Sequence, residues 1–89
     1  MSRPELEAAS DALHDAADVA SPALADDLVE KGETVADLAT RSEGPDHGRL
    51  ARLEHALREF VDEGSDEVAD RVERALDHVK EYRKTVEGV

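Results

Sequence analysis

GSDEVADRVERALDHVKEYRKTV, residues 64–86, carries Val68, Val72, Ala75, Val79, Tyr82 and Val86 at intervals of 4, 3, 4, 3 and 4. A helix brings such positions onto one narrow stripe, so the stretch predicts a helix over residues 66–86 with a heptad seam. Its punctuation agrees. Gly64 suits the left-handed position that ends a preceding helix, and Ser65 can cap the new one. Asp66 and Glu67 fall in the first turn and Lys80, Arg83 and Lys84 in the last turns. The helix dipole favours each sign of charge at those ends.

The same period runs backward through the chain. Leu50, Leu53, Leu57 and Phe60 are spaced 3, 4 and 3, which predicts a helix over residues 47–63, capped by Asp46. Arg41 to Gly48 reads as a loop, because Gly44-Pro45 is turn punctuation. Leu24, Leu28, Val35 and Leu38, with Lys31 in their line, mark a helix over residues 22–41. Gly32 should weaken its middle by about 1 kcal/mol relative to alanine. Leu6, Ala9, Leu13, Ala16 and Ala20 mark a first helix over residues 3–20. Ser2 and Glu5 have capping-box spacing, and Pro4 sits in the first turn where its missing N–H is harmless.

Ser21-Pro22 divides the first two helices. Proline disfavours a helical residue before it, and Ser21 is a good cap with Pro22 at the first helical position. A single helix kinked at Pro22 is the alternative. The expectation is one all-α domain over residues 1–89. It is a small antiparallel bundle of four helices, or three if the chain stays helical through Pro22. Short connections make an up-down arrangement the simplest closure.

Composition points the same way. Fourteen Ala, nine Leu and nine Val form the apolar inventory, with Phe60 and Tyr82 the only aromatics and Ile and Trp absent. A β-rich domain draws on Ile, Phe, Tyr and Thr instead. The 89 residues give a core of many small knobs and a thin stability margin.

Twenty-three acids against eleven bases leave a net charge of -12. Residues 1–46 carry -9 of it and residues 47–89 carry -3. Two explanations follow. The acids can be a brine adaptation, since molar salt shortens the Debye length to about 3 Å and screens their mutual repulsion. Three Lys against eight Arg, and no Asn, Gln or Cys, agree with that. Alternatively, the acids form a face for a basic partner or mimic DNA. Their spread along the chain favours the brine explanation.

Chemistry finds little footing. Without cysteine there is no disulfide or thiol catalysis. His14, His47, His55 and His78 include no i, i+4 pair and no Glu-x-x-His motif, so no metal or other cofactor is expected. No Gly-x-Ser-x-Gly elbow or phosphate loop occurs. Arg71, Arg74, Lys80, Arg83 and Lys84 interleave with Glu67, Asp70, Glu73, Asp77 and Glu81. Intrahelical pairing then replaces a nucleic-acid footprint. No apolar run approaches the ~18 residues of a membrane helix, and Met1 to Glu5 lacks a signal peptide's apolar start. A cytoplasmic location is expected.

Gly48-Arg49-Leu50-Ala51-Arg52-Leu53, Val61-Asp62-Glu63-Gly64-Ser65-Asp66-Glu67 and Val79-Lys80-Glu81-Tyr82-Arg83 together resemble a group of short acidic haloarchaeal proteins classed as a domain of unknown function. The likeness covers mainly residues 45–85, and the first half departs from it, notably at Ser21-Pro22. It implies a helical, halophilic protein and brings no activity or site residues. The expected function is a non-enzymatic interaction or structural module with an unidentified protein partner. The expected surface is around Phe60, Val79, Tyr82 and Val86. A homodimer through the Val68–Val86 seam is one form it can take, and an acidic binder of a basic protein is the alternative.

Overall fold

The structure is a computed structural model that describes residues 3–86. Four helices follow one another: α1 (Pro4–Asp18), α2 (Pro22–Thr40), α3 (His47–Glu63) and α4 (Asp66–Arg83). The protein is an all-α bundle, with no strand among the described residues. The chain leaves the helix at Asp18 and re-enters it at Pro22, so α1 and α2 are separate helices. After Arg83, Thr85 and Val86 donate to the carbonyls of Tyr82 and Arg83, and the chain closes in turns short of residue 86. Among the described residues no helix is long and apolar enough to cross a membrane.

The caps divide into local and tertiary ones. The Asp46 carboxylate accepts from the Arg49 N–H at 2.8 Å, and the Ser65 hydroxyl accepts from the Val68 N–H at 3.3 Å. Ser21 holds the N-cap position of α2, but its side chain makes no capping bond. For α1 the capping-box expectation fails. Ser2 lies outside the described residues, Arg3 holds the N-cap position, and Glu5 turns away to His78. An arginine cannot accept a hydrogen bond, so it works in the other direction. Its guanidinium donates to the carbonyls of Arg41 at 2.6 Å and Leu38 at 3.2 Å, while its own N–H donates to Ala39 at 2.9 Å. A cation thus satisfies the orphan carbonyls at the C-terminus of α2, where the dipole favours it.

Gly64 is also not left-handed. Its φ of -87° and ψ of 172° are extended, because only Gly64 and Ser65 join α3 to α4 and the chain passes straight into the next cap. Space is what requires glycine there. A Cβ on Gly64 would lie 2.5 Å from Cγ1 of Val68.

The core is a single cluster. Leu6, Leu13, Leu28, Val35, Leu50, Leu57, Val68, Val72 and Val79 are its largest fully buried members. Ala9, Ala16, Ala39 and Ala75 fill the close approaches between helices. The Val68, Val72, Ala75 and Val79 seam of α4 is at most 1% exposed, so its partners are the chain's own helices. The first four side chains of the Val68–Val86 seam are thus closed inside the protomer, and only Tyr82 and Val86 of it are half-buried.

The helices do not pack equally. α1 packs along α2 and α4, and α4 packs along α3. α2 and α3 share no comparable backbone approach. The simplest closed square is thus realised on three sides. The fourth side is spanned by the loop between Thr40 and His47 and by side chains only.

Gly32 lies in the α1–α2 contact. A Cβ there would lie 2.9 Å from Cε1 of His14, so the glycine gives room for the imidazole to lie on the α2 backbone. Ser10, 4% exposed, donates to the Gly32 carbonyl at 2.8 Å. Nδ1 of His14 lies 2.9 Å from the Ser10 carbonyl. A residue that looks like a helix defect in sequence is a helix–helix contact point.

Candidate functional site

Phe60, Val79, Tyr82 and Val86 do not form one surface. Val79 is 0% exposed, while Phe60, Tyr82 and Val86 are half-buried against the core. α3 and α4 are antiparallel: His47 meets Val86 at one end, and Gly64 meets Val68 at the other. Phe60 is therefore at the opposite end of the molecule from Tyr82 and Val86. Val29, at 38%, is the only large apolar residue classed as exposed among those described.

Three histidines are bound into helix contacts. His14 rests on Gly32. The His78 Nδ1 lies 2.7 Å from Glu5 Oε1, which ties α4 to α1. His47 accepts from Nε of Arg83 at Nδ1, 3.2 Å, which leaves Nε2–H to donate to the Val86 carbonyl, also 3.2 Å. That pair of bonds requires the neutral ring with its proton on Nε2. His55 is exposed, 3.9 Å from Glu59.

Glu54 is the buried charge that sequence reasoning missed. Its side chain is 7% exposed and lies between Arg58 at 3.2 Å and Arg83 at 3.1 Å. It stands four residues after Leu50 and three before Leu57, so its spacing puts it beside the buried stripe of α3, and that is the signal that could have found it. The network Glu54–Arg83–His47 pins α3 to α4 through hydrogen-bonded charges.

The open side between α2 and α3 carries a run of adjoining clefts. A cleft of about 500 Å³ is lined by Leu38, Arg41, Glu43, Asp46, Arg49 and Arg52, among others. A second of about 210 Å³ shares Leu38, Arg49 and Arg52 and adds Lys31, Thr34 and Leu53. A third of about 270 Å³ shares Lys31 and adds Asp27, Glu30, Ala56, Glu59, Phe60 and Glu63. The three make one groove with a floor of Leu38, Leu53 and Phe60.

Charge is divided along it. One end carries Arg41, Arg49 and Arg52 together with Glu43 and Asp46, and the other carries Asp27, Glu30, Glu59 and Glu63 together with Lys31. Arg41 pairs with Asp37 at 2.7 Å. Arg49 and Arg52 make no ion pair among the described residues, and neither do Asp27, Glu30 and Glu63. Elsewhere several cations are matched locally, with Arg71 on Glu67, Arg74 on Asp70 and Lys84 on Glu81, while Lys80 lines a cleft of about 390 Å³ between α3 and α4 with Asp62, Glu73 and Asp77. The Glu81 carboxylate, hydrogen-bonded to the Lys84 ammonium, raises the Lys84 pKa above its usual value. The groove thus holds unmatched charge of both signs along its length. A sequence signal for it exists in hindsight. Asp27, Lys31, Thr34, Leu38 and Arg41 on α2, and Arg49, Arg52, Ala56, Glu59 and Glu63 on α3, each form a second stripe at helical spacing.

The chain belongs to a family of unknown function, DUF7553, whose model matches residues 1–85. No curated protein and no solved structure matches it significantly.

Proposed function

We propose that this member of the DUF7553 family is a brine-adapted, non-enzymatic protein-interaction module of the cytoplasm that works through its open α2–α3 face. The carrying observation is the groove on that face, where cations and acids that make no ion pair among the described residues line an apolar floor. A helical surface left uncovered by the protein's own helices is a natural seat for another chain. Binding energy there would come from a small apolar strip, with charge at both ends setting orientation.

The brine part of the proposal rests on where the acids lie. Asp11 and Asp15 on α1, Asp26 and Glu33 on α2, Asp62 on α3 and Asp70, Glu73 and Asp77 on α4 are all exposed. Acids on every helix solvate a whole surface, whereas a docking site for a basic protein gathers them on one face. The second reading, an acidic binder of a basic segment, draws on the Asp27, Glu30, Glu59 and Glu63 end of the groove. The arginines at the other end oppose it. The absence of enzymatic chemistry is supported by the structural bonding of His14, His47 and His78.

The test uses the chain's lack of cysteine. Thr34→Cys places a thiol on the groove wall, and Asp11→Cys places one on the exposed side of α1. Both proteins are added to an extract of the source cells at native salt, and thiol alkylation is timed. Slower alkylation of the groove thiol alone is expected. Equal rates at the two sites, unchanged by the extract, would remove the groove as a working surface.

A further inference from the structure

We propose that the α2–α3 groove is covered by the same groove of a second copy of this chain, the two copies related by a two-fold axis across the groove's middle. This rests on the reading of the α2–α3 face as the working surface, and it names the occupant.

The charge layout selects it. From Arg49 to Glu63 along α3 the groove runs about 21 Å at the helical rise, basic at its start and acidic at its end. α2 runs the other way, with Asp27 and Glu30 at the acidic end beside Lys31, and Arg41, paired with Asp37, at the basic end beside Glu43 and Asp46, so the polarity is carried mainly by Arg49 and Arg52 against Glu59 and Glu63 of α3. An occupant of uniform charge is rejected by one end: a nucleic acid by Glu59 and Glu63, a polybasic segment by Arg49 and Arg52. A dipolar occupant laid in the opposite direction satisfies both ends. The groove itself has that pattern. A two-fold axis passing near Thr34 and Ala56 sets Arg41, Arg49 and Arg52 of one copy against Asp27, Glu30, Glu59 and Glu63 of the other. The operation then repeats the match at the far end. The result is an isologous, closed interface that cannot propagate into a filament. A second copy laid in the same direction sets like charge on like charge at both ends.

The floor adds little apolar area, since Leu38 is 3% and Leu53 6% exposed before pairing. Ion pairs enclosed by the paired grooves are screened less by salt than exposed ones, so orientation by charge persists in brine.

The experiment is sedimentation equilibrium of the purified full chain in about 1 M and about 3 M KCl. A concentration-dependent dimer is expected. Arg49→Glu with Arg52→Glu reverses the α3 charge at the basic end, and Glu59→Arg with Glu63→Arg reverses it at the acidic end. All four side chains are exposed, and circular dichroism checks that each variant folds. Each double variant should dimerise at least about tenfold more weakly than the parent. An equimolar mixture of the two should restore a dimer containing one of each. Oxidation should cross-link Thr34→Cys, close to the axis, and not Asp11→Cys. A parent chain that stays monomeric at millimolar concentration overturns the proposal, as does a dimer indifferent to both reversals or a mixture that forms no mixed dimer. If the parent is monomeric while an extract still protects the Thr34→Cys thiol, self-pairing is refuted and the interaction surface stands. If protection is also missing, both fail.

Discussion

Gly32→Ala sets local helix energetics against tertiary packing, and the two predict opposite signs. In an isolated helix the change gains about 1 kcal/mol, because alanine restricts the unfolded chain and glycine does not. In the folded bundle the new methyl carbon lies 2.9 Å from Cε1 and 3.1 Å from Nδ1 of His14. The imidazole must move by several tenths of an ångström. It is not free to do so at no cost, since Nδ1 is 2.9 Å from the Ser10 carbonyl. Overpacking costs about 1–3 kcal/mol and the strained hydrogen bond about 1 kcal/mol more. Packing therefore wins, with a net loss of about 1 kcal/mol or more, equivalent to roughly 4–8 °C of Tm per kcal/mol in a domain of this size. The assay is thermal unfolding at fixed molar KCl for the parent, Gly32→Ala, His14→Ala and the double variant. With His14 truncated, the same Gly32→Ala change should become stabilising by about 1 kcal/mol. A rise in Tm for Gly32→Ala in the parent background would refute the contact and the packing of α1 on α2 that depends on it.

Two other substitutions probe the tertiary bonds. Glu54→Ala strands Arg58 and Arg83; because the two arginines can turn partly to water, the loss should be about 2 kcal/mol by chemical denaturation, below the 3–5 kcal/mol of fully buried pairs. Glu54→Leu removes the desolvated carboxylate while keeping bulk, and should cost less than Glu54→Ala. Arg3→Ala leaves the last carbonyls of α2 without their guanidinium, and amide exchange should quicken at Ala39 and Thr40 while the α3–α4 amides keep their rates.

The sequence made α3 and α4 readable because their signals are local. The Leu50–Leu57 and Val68–Val79 stripes are buried as their periods require, and Asp46 and Ser65 cap as their positions require. Ser21-Pro22 separated α1 from α2 for the same reason, since the proline acts on its own neighbours. What escaped depends on residues far apart in the chain. Arg3 caps α2 rather than α1, over 38 residues of separation to Arg41. Glu54 meets Arg83 across 29. Gly32 reads as a weak point until His14 is seen lying on it. The expected surface failed at Val79 because a clean heptad seam is the first thing a small core buries. Only Phe60 of the four residues lines the groove. The groove itself was hidden in charges that, read one helix at a time, resemble a solvated face; their meaning comes from α2 and α3 standing apart.

The most direct measurement is helicity by far-UV circular dichroism as KCl is raised from millimolar to several molar. At about 0.01 M salt the Debye length is about 30 Å, longer than the 22 and 16 Å cross-section of the molecule, so carboxylates repel one another across its full width. If the acids serve solvation in brine, helicity should develop only as the salt approaches molar concentration, which leaves recognition to the α2–α3 face. Full helicity at millimolar salt would contradict this, and would make the acidic surface itself the binding element.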